Sequence, residues 1–297
     1  RKKGNFIMSQ TLENVKKRIN SVEATKKITS TMQLVSSVKV RKLLSTFTNV
    51  KQSLETQKII LNNALFTSKS DVTKTFNSIY INENIKVNKK LYIIVMSNLG
   101  LCGAYNQQLY KYFETIFHEG DEVILIGRKA ESLFSDDKNI KQYKDYLLLL
   151  NDIKLTKIDD FNKWIVDKFN TKEYNSVYIV YQRYVNSLIS LPTSVKLLPI
   201  ELKNKDSMNS YEPEFIPSRE SFIDSFIPFY LKSLIKTVLI EANLSEQTTR
   251  RNMMDNADKS ASDLIEDLKL QYNKARQTLI TNEITEVVNS ANAIRNS

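Results

Sequence analysis

Glycine and proline are scarce in this sequence, five of each among 297 residues. No glycine or proline lies between Thr11 and Leu65, and none lies between Phe229 and Ser297, so nothing in either stretch obliges a helix to stop. Cysteine is rarer still. Cys102 stands alone, which excludes an internal disulfide and suits a reducing compartment. His118 is the single histidine, so a multi-histidine metal site is excluded and a histidine-based triad is a poor fit. No run of about 18 apolar residues occurs, and with it goes any membrane-spanning helix. The start, Arg1-Lys2-Lys3-Gly4, carries neither an initiator methionine nor an apolar signal core; a fragment, or a chain trimmed after organelle import, is expected.

What is present is globular in composition, with 41% hydrophobic and 26% charged residues. The net charge of +10 implies an anionic neighbour: nucleic acid, lipid headgroups or acidic protein. Residues 11–60 carry ten Lys/Arg against three Asp/Glu, whereas residues 241–297 carry seven against nine. The plainest reading is two solvated helix faces of opposite sign that suit each other.

Toward the C-terminus, apolar residues recur at Met254, Ala257, Ala261, Leu264, Leu268, Tyr272, Ala275 and Leu279, steps of three and four that draw a narrow stripe down one helix face. At ~1.5 Å per residue, roughly 65 residues make a rod of order 100 Å, which calls for a partner. Near the N-terminus Leu12, Val15, Ile19 and Val22 form a second stripe, and Ile28, Met32 and Val35 continue it after a phase shift. Ser9 is the candidate cap of that helix. Lys16, Lys17, Arg18, Lys26, Lys27, Lys39, Arg41 and Lys42 make it basic.

Between these helices the pattern changes. Residues 67–90 are polar and read as an irregular connection. Apolar runs at 91–96, 122–126 and 176–181 predict strands buried on both faces, and 104–118, 128–134 and 158–170 read as helices. Strand–helix alternation implies a small, mainly parallel sheet covered by helices, an inserted Rossmann-like α/β domain. Four of the five prolines, from Pro192 to Pro217, mark the way out of it. The predicted architecture is therefore α/β with a long antiparallel coiled coil of the N- and C-terminal helices. Its parts are residues 1–66, 67–218 and 219–297.

Catalytic signals are weak. The segment from Ser97 to Asn106 follows the first strand and precedes a helix, where such sheets often bind ligands. It is neither a dinucleotide fingerprint nor a P-loop, since no Lys-Ser/Thr follows its second glycine. Gly100 and Gly103 read as turn residues, and Cys102 between them as a small buried thiol. No paired-carboxylate motif stands out, and neither a metal nor a cofactor is expected.

The stretch Lys17-Arg-Ile-Asn-Ser-Val-Glu-Ala-Thr-Lys-Lys-Ile-Thr-Ser-Thr-Met32, continuing to Lys42, resembles the N-terminal helix of the gamma subunit of F-type ATP synthases. Ser97–Asn106 is similar to that family's glycine-cysteine-glycine turn. The most specific likeness is Ser245-Glu-Gln-Thr-Thr-Arg-Arg-Asn-Met-Met-Asp-Asn-Ala257 with Leu270-Gln-Tyr-Asn-Lys-Ala-Arg-Gln-Thr-Leu-Ile-Thr-Asn-Glu283. The likeness covers nearly the whole chain in order, though 107–240 matches in pattern more than in letters. Asn98 and Leu99 replace a charge pair usual in the turn, Lys26 stands where glutamine is common, and Arg251 where methionine is usual. The two-cysteine regulatory insertion of plastid forms is missing.

The resemblance implies a rotor shaft. The paired helices would turn inside a ring of alternating alpha and beta subunits, with the α/β domain on the c-ring beside the small delta and epsilon subunits of the mitochondrial complex. The chain itself would have no catalytic site, touch the membrane only through the c-ring and bind no nucleic acid. By the same resemblance Arg276, Gln277, Met32, Lys27 and Arg250 would contact the beta subunits. Val287, Val288, Ala291 and Ile294 would form an apolar bearing at the tip. The processed-looking start and basic balance favour the matrix side of a mitochondrial inner membrane. The alternatives are a basic coiled-coil protein that binds nucleic acid, whose affinity would fall steeply with salt, and a structural tether indifferent to nucleotide turnover.

Overall fold

The computed structural model describes residues 2–65, 80–81, 87–135, 140–151, 155–200, 215–216 and 218–295, without the side chains of the first ten of these or of 151, 155, 293 and 295. The expected irregular connection at 67–90 therefore lies largely outside the described residues. Two long helices bracket the chain, α1 (Lys2–Leu65) and α5 (Arg219–Arg295), and α5 carries Pro228 inside it. Ser9 is not a cap, because α1 is already helical at Lys2.

Contacts divide the chain inside both long helices. One unit is Ser36–Arg250, and the other joins the residues up to Val35 with those from Arg251 on. The sequence had placed these limits at 66/67 and 218/219. The end of α1 and the start of α5 supply core residues, such as Leu54, Leu61, Ile223, Ile235 and Leu239, to the sheet.

In the larger unit five strands take the order β3-β2-β1-β4-β5. They are β1 (Lys90–Val95), β2 (Glu122–Ile126), β3 (Lys141–Tyr143), β4 (Ser176–Tyr184) and β5 (Ser190–Leu198). The first four pair in parallel, and β5 joins β4 antiparallel. Side chains alternate across the sheet. Leu91, Ile93, Val95, Ile124, Ile126, Val177 and Ile179 face α4 (Leu155–Asn170) and the two long helices. Tyr92, Ile94, Met96, Val123, Leu125 and Val180 face α2 (Tyr105–Ile116) and α3 (Arg128–Leu133). Covering both faces is what continuous apolar strands require.

Arg219 donates to the carbonyl of Ala64, and Lys39 lies near Glu246, so within this unit the long helices run antiparallel. In the other unit Glu23 on α1 faces Lys269 on α5 at 3.8 Å. The inward positions of α1 step by three and four from Leu12, Val15, Ile19 and Val22 through Lys26, Thr29 and Gln33. Beyond the unit boundary Ser36, Val40, Leu43, Phe47, Val50 and Leu54 keep the same phase. The phase shift expected at Ile28, Met32 and Val35 is absent. Ile28 and Val35 are 61% and 50% exposed, and Met32 is half-buried. A 3.5-residue seam holds its phase along the helix, and small or long polar side chains fill it where the apolar letters drift away. On α5 the seam takes Ile265 (9% exposed) instead of Leu264 (38%).

At the amino end of the sheet the Glu122 carboxylate is buried and accepts hydrogen bonds from Lys89, Tyr174, Tyr143 and Lys141. Burial pushes its pKa up, but these four partners together outweigh that and hold it down at about 2. A depressed carboxylate stabilises the fold fully above its unfolded pKa, near 4.5, and that contribution is lost as pH falls toward about 2. Glu122→Gln is therefore expected to cost roughly 2–3 kcal/mol near neutral pH. The gap to the parent in urea unfolding should close between those two pH values, and a pH-independent gap would refute the assignment.

Candidate functional site

The turn that follows β1 meets the middle of α5. After β1 the chain turns through Leu101 at φ +62° and Gly103 at φ +57°. The turn is tied internally. Asn106 accepts from the Ser97 N–H at 3.0 Å and donates to the Ser97 hydroxyl at 2.7 Å, and that hydroxyl donates to the Leu99 carbonyl at 2.8 Å. Cys102 is 2% exposed, with its sulfur 3.7 Å from the Ser97 hydroxyl. Burial pushes its thiol pKa up, which makes it a packed group instead of a nucleophile. Gly100 is not sterically required: a Cβ there would sit 3.7 Å from the Lys129 side chain, an ordinary contact. Asn98 accepts from the Arg128 N–H, the first amide of α3, at 3.2 Å.

Arg250 holds this turn against α5. Its Nη2 donates to the Leu99 carbonyl at 2.9 Å, and its Nε to the Gly100 carbonyl at 3.3 Å. It pairs with Glu246, one turn earlier, at 2.7 Å, and the two side chains are only 4% and 6% exposed. Burial pushes the Glu246 pKa up against the pull of Arg250. Arg250, expected at a beta-subunit contact, directs its guanidinium inside the fold, where it joins the Ser97 hydroxyl on the Leu99 carbonyl and reaches the Gly100 carbonyl. The i, i+4 spacing of Glu246 and Arg250 at the end of an apolar run was the available signal. Tyr105, Tyr181 and Glu241, which join the same region, carried none.

The other candidate contacts lie elsewhere on the long helices. Arg276 and Gln277 are exposed, between half-buried Ala275 and Leu279, so they point away from the seam. Lys27 is exposed. Val287, Val288 and Ile294 are 69%, 51% and 77% exposed, and Ala291 is exposed as well. Among the described residues no group of three His, Cys, Asp or Glu is placed to hold a metal ion, and no helix is long and apolar enough to cross a membrane. The arrangement can display side chains along stiff helices and fix them to a sheet.

Comparison with known proteins agrees with this geometry. The family described as ATP synthase matches residues 11–294. The ATP synthase gamma chain of Mesoplasma florum is 31% identical over 284 residues, covering 95% of this chain and 98% of that protein. The gamma chain of Mycoplasma capricolum is 33% identical over 285 residues, with the same coverage. Among solved structures, a chain of the Euglena gracilis mitochondrial ATP synthase (OSCP/F1/c-ring, rotational state 3) superposes with a TM-score of 0.69 at 19% identity, over 96% of this chain and 95% of that one. A chain from the rotor of the same complex in rotational state 1 gives 0.63 at 18% identity, over 92% and 99%. With its long terminal helices, its mixed sheet and a match along almost its entire length, the chain belongs to the ATP synthase gamma chain family.

Proposed function

We propose that this chain is the central rotor shaft of an F-type ATP synthase, coupling proton-driven rotation of the c-ring to conformational changes at the catalytic sites of the beta subunits. The observation that supports this most is the match to gamma chains over 95% of the chain. The chain is a non-catalytic subunit. Its partners are the alpha and beta subunits, the c-ring and the small delta and epsilon subunits of the central stalk. Its proposed place is peripheral, on the matrix side of a mitochondrial inner membrane. The structural likenesses are to mitochondrial complexes and the sequence relatives named above are bacterial, so fractionation of the native cell decides that location.

A shaft changes its partners only through contacts that differ between their states. Arg276 and Gln277 are proposed to make such a contact with one beta conformation, the arginine fork taking a carboxylate or a row of carbonyls. Lys27 and Met32 are proposed beta contacts on α1, and Val287, Val288, Ala291 and Ile294 the apolar bearing. Replacing Arg276 and Gln277 together by alanine leaves α5 intact, since alanine is the best helix former. The loss of a one-state contact worth ~1.5–3 kcal/mol is expected to lower ATP synthesis about tenfold or more in complexes matched for subunit content. Unchanged synthesis and unchanged proton-coupled hydrolysis would make both side chains bystanders.

A further inference from the structure

We infer that the polar joint between residues 241–250 of α5 and the carboxyl end of the sheet is the element that passes torque from the α/β unit into α5; this rests on the rotor reading above. Elsewhere the sheet meets α5 largely through aliphatic and aromatic side chains such as Ile227, Leu231, Ile235 and Leu239. Such packing is strong but non-directional. At the joint the contacts are directional. The Tyr105 hydroxyl donates to the Ala242 carbonyl at 3.1 Å, and the Tyr181 hydroxyl to the Glu241 carboxylate at 2.9 Å. Arg250, paired with Glu246, donates to the turn after β1.

These groups come from β1's turn, α2 and β4, so the bonds leave α5 toward different parts of the sheet. All of them are buried: Tyr105, Tyr181, Glu241, Glu246 and Arg250 are between 3% and 8% exposed. Away from water a broken bond finds no replacement, and displacement of the sheet around the helix is resisted at once. A greasy contact can creep by exchanging one packing for another, whereas a hydrogen bond that loses its partner in a dry site cannot. Tyr105, Tyr181 and Glu241 are in this sense positioning residues for coupling, with no contact of their own to substrate.

The test uses the assembled ATP synthase with Tyr105→Phe and Tyr181→Phe combined, which removes two hydroxyl oxygens and keeps both rings. A bead on the α/β unit, with the catalytic ring fixed, reports angular fluctuation and the load at which driven rotation stalls. Each lost bond makes local opening of the joint about fivefold easier. Wider angular fluctuation, a lower stall load and less proton pumping per ATP hydrolysed are expected. Tyr92→Phe is the control, since its hydroxyl bonds the Ile116 carbonyl within the domain, away from α5; it should leave all three readings at the parent value. Where the double variant assembles poorly, Tyr105→Phe alone supplies the readings. Parent-like fluctuation and stall load in the tyrosine variants would overturn the joint while leaving the rotor reading intact. A parent complex in which this chain does not rotate would overturn the rotor reading itself.

Discussion

A Gly127→Ala chain is expected to lose ~3–5 kcal/mol of stability, from backbone strain and overpacking together. Gly127 closes β2 and opens α3 at φ +95° and ψ 132°, a conformation that L side chains rarely adopt. Space is the larger obstacle. A Cβ at this position would lie 2.1 Å from the Met96 carbonyl oxygen and 2.6 Å from its carbon. Both atoms are backbone at the end of β1, fixed by the Met96 N–H donating to the Ile126 carbonyl at 2.9 Å, so neither can yield without breaking the β1–β2 pair. Gly120 is the internal comparison: its φ is also +95°, yet nothing lies within 4 Å of a Cβ there. Gly120→Ala should therefore cost only ~1–2 kcal/mol, the backbone strain alone. Urea unfolding of the full chain measures both. Equal losses for the two variants would show that close approach of β1 to Gly127 is unimportant.

Arg250→Ala is expected to cost about 3–5 kcal/mol, because it leaves the Glu246 carboxylate buried and unpaired. It also removes a donor from the Gly100 carbonyl and one of those to the Leu99 carbonyl, which keeps the Ser97 hydroxyl. The pH dependence has a definite sign. Burial already raises Glu246, and without Arg250 its folded pKa rises further. An acid raised in the folded state penalises the fold above that pKa and is harmless below its unfolded value. The deficit of Arg250→Ala should thus be largest near neutral pH and shrink as pH falls toward about 4.5. Replacing both partners, Arg250→Met with Glu246→Leu, removes the buried charges together and should cost less than either single change. A double variant as weak as Arg250→Ala would place the loss in the turn's carbonyls instead of the ion pair.

Much of this fold was legible because burial leaves continuous apolar letters. β1, β2 and β4 are buried on both faces, and the sequence marks each with an unbroken run of Val, Ile, Leu and Tyr. β3 was invisible for the same reason, since Lys-Gln-Tyr contains no run and pairs on one side only. β5 was hidden by its proline. Pro192 sits opposite Gln182 in register, yet β5 is the last strand of the sheet, where a missing N–H need not interrupt a ladder. The beginning of the segment read as an exit, up to Leu198, is therefore a strand. Helix phase failed differently: the letters at Ile28, Val35 and Leu264 are apolar, but a supercoiled seam is set by neighbours on the partner helix. In the candidate site, exposure at Arg276 and Gln277 follows from spacing to Ala275 and Leu279. The inward turn of Arg250 does not, because its partners lie about 150 residues away, at Leu99 and Gly100.

The core that packs one face of the sheet runs from Leu54 at the end of α1 to Ala242 in α5. During synthesis at ~5–20 residues per second, the ribosome takes roughly 10–40 s to deliver the second of these after the first. Only for the last ~3–12 s of it, once Tyr184 is made, can β1, β2 and β4 all pair while the surface meant for α5 remains wet and apolar. Contacts of such long range also slow the closing step once the chain is complete. A nascent chain in this condition is a natural client for chaperones that shield apolar surface, and its vulnerable period ends only when α5 docks.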